Sequence, residues 1–423
     1  MLSSEDYEIL NRVGPGTLMG NLLRRYWTPA LLSAELPNPD DPPVRVRLLG
    51  EDLVGFRATD GKVGLVADNC PHRGASMYFG RNEACGLRCV YHGWKFDVDG
   101  HCTDMPSEPR PFADRIMIQA YPTHESGGIV WTYMGPKETM TAFRDFGTES
   151  LPKEHIVARK WPTACNWVQS MEGDIDSAHV SWLHRWKGIE EIPDDGSDMP
   201  GRATSAMSTR IWSYDRAPRI EVEVEWYGFR HVGLRSTPNG HTSAGVSACV
   251  IPYLTITGNL PIQAWVVPID DGSCWRFNCA AKVPTPDQQL RGSLRELASF
   301  PYRDRGGALP SGVRRRLYTK ENDYLIDREV QRTSTFTGVE DFVSQDLMVT
   351  ESMGPIYDRT REHLGTIDRA IIVLRETLIK AAKHLEEGGD APATGDLDYR
   401  SIQGAGKILE PGEDWRTLSA GIP

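Results

Sequence analysis

Two short segments, each with one cysteine and one histidine, carry the clearest chemical signal in this chain. Cys70 and His72 form a C-x-H arm, and Cys89 and His92 form a C-x2-H arm sixteen residues later. Thiolates are soft ligands and imidazoles are borderline ones, so two cysteines and two histidines can hold either zinc or an iron–sulfur cluster. Glycines close to both arms favour tight turns. The segment is therefore predicted to bind a metal centre.

The distribution of the ligands over the two arms distinguishes these alternatives. Zinc fingers usually pair like ligands, as C-x2-C and H-x3–5-H. Here each arm carries one ligand of each kind, so the two thiolates can bind one metal while the two imidazoles bind the other. This is the ligand arrangement of a Rieske [2Fe-2S] centre. We predict such a cluster bound by Cys70, His72, Cys89 and His92 and covered by residues 94–96, with structural zinc as the alternative.

A D-x2-H-x4-H pattern, formed by Asp176, His179 and His184, contains further candidate ligands. On a helix, residues 176 and 179 share a face, but residue 184 lies about 140° round the axis from residue 179. Both imidazoles can therefore bind one metal only where the helix breaks or widens between them. Two histidines and one carboxylate with open positions form the facial triad of non-haem Fe(II) oxygenases. Beside the first motif, this pattern predicts a mononuclear iron site.

Asp346 is the leading candidate for the carboxylate ligand, because it runs directly into three apolar residues. If that segment is buried, an unpaired carboxylate is costly and a bound metal explains its presence. An exposed position or a helix cap is the alternative reading of Asp346, and Glu340, Asp341 and Glu351 compete with it. The residues alone leave these alternatives open.

The segments CPHRG at 70–74 and CVYHGW at 89–94, together with the D-x2-H-x4-H pattern, resemble the large (alpha) subunit of the Rieske non-haem iron aromatic ring-hydroxylating oxygenases. The resemblance spans nearly the whole chain and is greatest for the phthalate 4,5-dioxygenase and 5,5'-dehydrodivanillate O-demethylase types. It implies that Asp176, three residues before the first histidine, is not a ligand but carries electrons to the iron. It also selects Asp346, because residues 345–355 resemble the region of the third ligand.

Local sequence patterns predict the elements that hold these residues. Residues 44–49 alternate with period two and further β-rich runs continue to residue 133, which predicts a small antiparallel β-domain with the cluster ligands on two loops. Candidate strands between residues 220 and 281 predict a second antiparallel sheet. A long helix capped by Thr366 and ended by Gly388 is expected to precede a tail that wraps the surface. Its apolar stripe is Ile371, Leu374, Leu378, Ala382 and Leu385.

These elements and the resemblance predict an α+β fold, with an N-terminal β-rich Rieske [2Fe-2S] domain and a larger C-terminal helix-grip catalytic domain. The expected division is a helical segment (1–28), the Rieske domain (29–136) and the mononuclear iron domain with the C-terminal helix and tail (137–423). The glycines at 14–17 are expected to start a helix, since their spacing is not that of a dinucleotide loop. Residues 187–210 are predicted to form a mobile loop over a pocket.

The composition of the 423 residues is that of a soluble globular protein, with 39% hydrophobic and 25% charged residues. The net charge of −11 argues against nucleic acid as a partner. No apolar run approaches ~18 residues, so no membrane span is predicted, and the N-terminus has no signal-peptide pattern. The eight cysteines are too scattered for a disulfide framework. We therefore expect a cytoplasmic protein.

The resemblance implies O2 activation at Fe(II), with the cluster supplying electrons one at a time. Because the chain has no nicotinamide or flavin motif, a separate NAD(P)H-dependent flavin or iron–sulfur reductase, or a ferredoxin, must deliver them. A homotrimer or a hexamer is implied as well. The expected substrate is a small aromatic acid, with Arg235 as the leading carboxylate-binding residue, Arg202 as the second, and Ser177 lining the pocket.

Two alternatives to an aromatic ring dioxygenase stay open. The first is an O-demethylating monooxygenase that uses the same metals on a methoxylated aromatic acid. The second is a protein that is not an oxygenase, either an electron carrier or a zinc-stabilised binding protein. An electron carrier needs no D-x2-H-x4-H site and is usually much shorter, and a zinc protein would lack the red-brown colour of a cluster.

Overall fold

The computed structural model describes residues 2–147, 156–187, 200, 209–258, 262–281, 316–395 and 397–418. Its N-terminal part begins with two helices, α1 (Ser4–Asn11) and α2 (Leu18–Leu23). Ser3 caps α1, and Thr17 caps α2 by accepting a hydrogen bond of 3.1 Å from the backbone N–H of Gly20. The glycines at 14–17 therefore precede a helix start, as the sequence predicted.

Three small antiparallel sheets follow in the fully described stretch from residue 27 to residue 133. Their strands are β1 (Trp27–Leu32), β2 (Val44–Leu48), β3 (Glu51–Arg57), β4 (Val63–Ala67), β5 (Arg81–Glu83), β6 (Gly86–Arg88), β7 (Lys95–Phe96), β8 (Cys102–Asp104), β9 (Ala120–Tyr121), β10 (Thr123–Ser126) and β11 (Ile129–Tyr133). The sheet orders are β1-β11-β10, β2-β3-β4-β9 and β5-β6-β7-β8. In β2 the apolar Val46 and Leu48 are buried and the arginines between them are exposed, so the period-two pattern marks one buried face. The predicted β-domain is confirmed.

A larger antiparallel sheet forms the centre of the C-terminal part. Its described strands are β12 (Ile156–Thr163), β13 (Arg219–Glu225), β14 (Gly228–Ser236), β15 (Thr242–Val250), β16 (Leu254–Thr257), β17 (Ile262–Asp270), β18 (Ser273–Ala281) and β19 (Ala405–Ile408). The order is β12-β18-β17-β16-β15-β14-β13, and β19 also pairs with β15. The predicted second sheet is confirmed, but the candidate strand at 248–253 is wrong in its bounds, because residues 251–253 form the turn between β15 and β16.

Helices cover this sheet and join it to the N-terminal part. They are α3 (Trp167–Ile175), α4 (Thr209–Tyr214), α5 (Arg328–Thr333), α6 (Phe342–Ser352) and α7 (Arg369–Glu386). Helix α3 packs against β16, β17 and β18 and against α6, whereas α7 packs against α1, α2 and β13. The predicted stripe of α7 is buried, apart from the partly buried Leu385. None of the described helices combines the length and the apolar character that a bilayer crossing requires.

Two predictions for the C-terminal region are wrong in detail. Thr366 is not the helix cap, because residues Thr366–Asp368 form a 3-10 turn and α7 starts only at Arg369. Asp368 closes that turn by accepting a hydrogen bond of 2.6 Å from the backbone N–H of Gly365. The tail does more than wrap the surface, because β19 extends the sheet and the buried Trp415 packs with residues of β14 and β15. Its few apolar side chains are concentrated where they cover one face of these strands.

The hydrophobic core continues across the predicted domain boundaries. One set of buried side chains includes residues from α1, α2 and β1–β4 together with residues from α3, α7 and the large sheet. Lys160 of β12 and Glu35 form a buried ion pair of 2.6 Å between the two parts. The loops that carry the cysteine–histidine arms pack on a smaller hydrophobic core of their own, whose buried residues come from the range 54–118 of the chain. The division at residues 28 and 136 stays a prediction.

Candidate metal centres

The two cysteine–histidine arms lie on loops of the same shape. The first loop follows β4, and the second connects β6 to β7. In each loop, the backbone N–H of a glycine donates a hydrogen bond to the carbonyl of the cysteine four residues earlier. Gly74 donates to Cys70 at 2.8 Å, and Gly93 donates to Cys89 at 3.0 Å. Both glycines have positive φ, +76° and +79°, which other residues rarely adopt. Equivalent turns thus present equivalent pairs of ligands.

The four side chains of the arms face one another. The Cys70 and Cys89 thiols are buried, and the ring centroids of His72 and His92 lie 4.4 Å apart nearer the surface. Burial, with a smaller contribution from the thiol of Cys89, raises the pKa of Cys70 to about 11. Nδ1 of His92 is buried and has no hydrogen-bond partner among the described residues. The indole of Trp94 stacks on His72 at 4.4 Å. Two sulfur donors beneath two imidazoles fit a Rieske cluster.

The second constellation forms where α3 ends. The helix stops at Ile175, and Oδ1 of Asp176 accepts a hydrogen bond of 2.7 Å from the backbone N–H of Ala178. A 3-10 turn then runs from His179 to Ser181, and a further turn leads to His184. The α-helix therefore ends before His179, whereas the sequence predicted a break between the two histidines, so the 140° separation of an ideal helix does not apply to them. The imidazole centroids of His179 and His184 lie 5.3 Å apart.

Asp346 of α6 reaches both of these histidines. Its Oδ1 lies 3.4 Å from Nε2 of His179 and 3.1 Å from Nε2 of His184, and three ligand atoms, one from each residue, lie within 4.8 Å of one another. The Asp346 side chain is still 32% exposed, so it faces a space that solvent reaches rather than the core. Burial opposes its ionisation, but the two imidazoles outweigh burial and lower the pKa of Asp346.

The competing carboxylates of this segment have other partners or positions. Asp341 caps α6 by accepting a hydrogen bond of 2.8 Å from the backbone N–H of Ser344. Glu351 is buried and is held by the guanidinium of Arg316, the hydroxyl of Tyr324 and the backbone N–H of Ala164. Glu340 is exposed. The geometry therefore groups Asp346, and none of these three, with the histidines.

Gln345 decides which nitrogen of His184 carries the proton. Its amide Nε2 donates a hydrogen bond of 2.7 Å to the carbonyl of Val339, so Oε1 faces Nδ1 of His184, also at 2.7 Å. Nδ1 must therefore carry a proton, and in the neutral ring the lone pair of Nε2 then points at the carboxylate of Asp346. Two acceptors that face each other in a mostly buried site need a metal ion or a second proton between them. This donor set fits Fe(II).

Sequence reasoning did not identify two of the residues that orient this site. These residues are Gln345, directly before Asp346 in the chain, and Phe342, whose ring stacks on His184 at 3.6 Å. The position of Gln345 directly before a candidate ligand was the available signal. Asp176 Oδ2 lies 3.7 Å from Nδ1 of His179, which is too long for a hydrogen bond but close enough to influence the ring.

Of the three predicted substrate-binding residues, two lie together near the candidate iron site and one lies outside the described residues. Arg235 of β14 is buried, and its Nη2 donates to the carbonyl of Ser177, so these two residues meet directly beside Asp176. No carboxylate of the described residues forms an ion pair with Arg235, and burial lowers the pKa of its guanidinium to about 10. Arg202 and most of the predicted loop at 187–210 lie outside the described residues.

Comparisons with known families agree with both halves of this arrangement. Residues 26–122 match the family model of the Rieske [2Fe-2S] domain, and residues 132–422 match the family model "LigXa C-terminal domain like". The phthalate 4,5-dioxygenase oxygenase subunit of Pseudomonas putida is 38% identical over 99% of this chain and 95% of its own length. The 5,5'-dehydrodivanillate O-demethylase oxygenase subunit of a Sphingobium species is 30% identical over 93% of this chain and 83% of its own length.

The fold also matches solved structures. The carbazole-bound oxygenase and ferredoxin complex of carbazole 1,9a-dioxygenase superposes with a TM-score of 0.57 at 21% identity, over 88% of this chain and 93% of that one. At this identity the similarity concerns the fold alone. It confirms the predicted arrangement of a β-rich N-terminal domain and a larger domain with a sheet and helices.

Replacing Gln345 by leucine is expected to weaken iron binding at the second site about 10- to 100-fold, because His184 loses the acceptor that holds its Nδ1 proton. Competition with a chelator, followed by iron analysis, measures the affinity. The cluster absorbance should not change, since Gln345 is remote in the fold from the first motif. Gln119→Leu, at an exposed position of the β-domain, is the matched control. Equal iron affinity in both variants would contradict the role of Gln345.

Proposed function

This chain belongs to the Rieske non-haem iron oxygenases, and we propose that it is the oxygenase component of a system that hydroxylates a small aromatic carboxylate with O2. This proposal rests on the grouping of His179, His184 and Asp346 in a fold that also buries the guanidinium of Arg235. That guanidinium donates to the carbonyl of Ser177 but forms no ion pair with any described carboxylate. The first three residues fit a mononuclear Fe(II) with open positions. The guanidinium fits the carboxylate of a substrate, which it can bind with two parallel hydrogen bonds.

We assign Cys70, His72, Cys89 and His92 as the ligands of the [2Fe-2S] cluster. The buried thiols and the facing imidazoles support this assignment, as does the match of the surrounding residues to the Rieske family model. When bound, the cluster would supply single electrons, and an iron held by His179, His184 and Asp346 would supply the O2-activating chemistry.

Residues of this chain then orient the metal and the substrate. Gln345 keeps the proton of His184 on Nδ1 and leaves Nε2 free as a ligand. Arg235 holds the substrate carboxylate close to Ser177, whose carbonyl already receives one of the guanidinium hydrogen bonds. Arg202 stays a prediction from the sequence as a second carboxylate-binding residue.

The preferred reaction is dihydroxylation of the aromatic ring of a phthalate-like acid. Phthalate 4,5-dioxygenase, which is 38% identical to this chain, is named for that class of substrate. The alternative is O-demethylation of a methoxylated aromatic acid, and the O-demethylase relative at 30% identity supports it. Both reactions would use the same metal ligands and the same carboxylate-binding arginine.

We infer that electrons reach the iron from the cluster of a neighbouring copy, within a homotrimer or a hexamer. The core of the cluster loops contains no residue of α3 or α6. Apolar side chains at the tip of the second arm, Val90 and Tyr91, are more than half exposed, and so is Trp186 near the iron site. Asp176, which contacts His179 and is partly exposed, is our candidate for the residue that bridges the two centres.

Other partners and the location follow from the same proposal. A separate NAD(P)H-dependent reductase or a ferredoxin would reduce the cluster, and a solved neighbour of the same fold is a complex with ferredoxin. The eight cysteines, all of them among the described residues, form no disulfide, which is in keeping with the reducing cytoplasmic location that we propose.

Aromatic acids are expected to stimulate O2 uptake by the purified, iron-loaded protein in the presence of NADH and a phthalate-dioxygenase-type reductase. Mass spectrometry of products formed under 18O2 distinguishes the two reactions, since a diol with both labelled oxygens indicates a dioxygenase and formaldehyde indicates a demethylase. His184→Ala should abolish turnover and keep the visible spectrum of the cluster. The proposal is refuted if no aromatic acid stimulates uptake, or if His184→Ala retains turnover.

Arg235→Leu is expected to raise KM for an aromatic carboxylate about 10- to 100-fold, because the substrate loses a charge-assisted pair of hydrogen bonds. Steady-state kinetics with the carboxylate and with the corresponding carboxamide measure the effect. Arg230→Leu is the matched control, because Arg230 lies on the opposite face of the same strand and pairs with Glu223 and Glu225. An unchanged KM in Arg235→Leu would remove this residue from the substrate site.

Mixed oligomers test the electron path. A His92→Ala subunit lacks the cluster and a His184→Ala subunit lacks the iron, so neither variant alone should turn over. Random assembly at equal amounts in a head-to-tail ring should restore about a quarter of wild-type activity, since an intact iron site then adjoins an intact cluster at about a quarter of positions. Adding Asp176→Asn to the His92→Ala subunit should lower this recovery. Absence of recovery in purified mixed trimers would contradict transfer between subunits.

A further inference from the structure

One face of the β14–β15 pair is polar, although it is buried beneath the iron site. Directly opposite residues of these strands share a face, and three such pairs follow one another: His231 with Ser247, Gly233 with Gly245, and Arg235 with Ser243. This face is directed at the iron site, because Arg235 donates to the carbonyl of Ser177. The opposite face of the same strands is apolar and is covered by the tail.

Gly245 leaves a depression in this polar face. A side chain at Gly245 would meet no atom of the described residues within 4 Å, and Gly245 itself is partly accessible to solvent. Gly233, directly opposite, is covered instead: the position that a Cβ atom would occupy lies 2.9 Å from Cβ of Ser177 and 3.1 Å from Nη1 of Arg235. The guanidinium and the Ser177 side chain therefore lie over Gly233, beside a position at Gly245 that no described residue covers.

His231 borders the same depression and lacks partners. Its side chain is buried, with 1% of the residue exposed, and neither ring nitrogen has a hydrogen-bond partner among the described residues. Buried polar atoms are nearly always hydrogen-bonded, so two unsatisfied nitrogens on one ring require an explanation. Burial lowers the pKa of His231 to about 4, so the ring is neutral and offers one donor and one acceptor.

We propose that His231 is a further substrate-binding residue, which hydrogen-bonds an oxygen substituent of the aromatic acid whose carboxylate Arg235 holds. This inference rests on the proposed function of Arg235. His231 and Gly233 are two residues apart, so the imidazole and the guanidinium above Gly233 are separated by about 7 Å along the strand. A benzene ring with a polar group on each side bridges such a gap, and the open position at Gly245 leaves room for the ring beside the covered Gly233.

The substrate class that follows is an aromatic acid with a second oxygen-bearing group, such as a hydroxyl, an ether or another carboxylate. An acid with this second group would supply the hydrogen-bond partner that the imidazole lacks among the described residues. An acid without it would leave both ring nitrogens unsatisfied. His231 therefore discriminates between acids that differ only in this oxygen.

Equilibrium binding to the iron-loaded protein, without reductase, tests this role independently of turnover. Calorimetric Kd values would be compared for benzoate, the three monohydroxybenzoates and phthalate. His231→Leu is expected to weaken binding of the preferred oxygen-bearing acid about 10-fold and that of benzoate less than about 2-fold. His231→Gln, which keeps one donor and one acceptor, should recover part of the loss. Gly245→Val, which fills the depression, should weaken binding of every acid.

Cluster absorbance and iron content in each variant establish that both centres are intact. If His231→Leu does not fold, His231→Gln and Gly245→Val test the role of His231. Only His231→Gln should change the ratio of the Kd values for benzoate and the oxygen-bearing acid. Unchanged discrimination in the histidine variants, with Arg235→Leu still weakening every acid, would overturn the role of His231 alone. Wild-type protein that binds none of the acids would overturn the proposed substrate class and this inference with it.

Discussion

The anchoring of α3 is the constraint on which the iron site depends. Glu172 and Asp174, in its last two turns, each pair with a guanidinium of another element, Arg375 and Arg276. These ion pairs are largely buried, so displacing the helix would leave charges without partners in the core. At its other end Asn166 caps the helix and donates a hydrogen bond of 2.8 Å to the carbonyl of residue 271. The helix therefore ends at a defined position. Because the chain leaves the helix at residue 176, His179 and His184 both reach the carboxylate of Asp346.

Helix α6 supplies the carboxylate from an equally fixed position. Asp341 caps its first turn, and near its end Glu351 is tied to Arg316 and Tyr324. Asp346 lies between these two anchors, and it approaches the histidines without being enclosed. Its neighbour Gln345 sets the tautomer of His184 from the same helix. Two independently anchored helices therefore assemble the candidate site, so the fold itself holds the potential ligand atoms together.

The two candidate metal centres are built in opposite ways. The four proposed cluster ligands lie within 23 residues on two similar loops, and local hydrogen bonds and two positive-φ glycines determine those turns. The iron site instead unites residues 179 and 346, far apart in the chain, across the packed interface of α3 and α6. The cluster loops consequently have a small core of their own, whereas α3, which leads to the candidate iron site, shares the main core with the N-terminal helices. This separation supports the electron transfer between copies of the chain that we propose.

The sequence by itself determined what depends on short-range spacing: the two cysteine–histidine arms, the strands with period two, and the need for a helix break before His184. Tertiary structure alone decided what depends on distant contacts. Choosing Asp346 over its neighbours required resemblance at first, and the structure then separated it from Asp341 and Glu351 through their own partners. The predicted helix cap at Thr366 is wrong because the Asp368 carboxylate accepts a hydrogen bond from the backbone N–H of Gly365, which places Thr366 in a 3-10 turn before the helix. The unpaired nitrogens of His231 had no sequence signal, because burial and missing partners are properties of packing rather than of spacing.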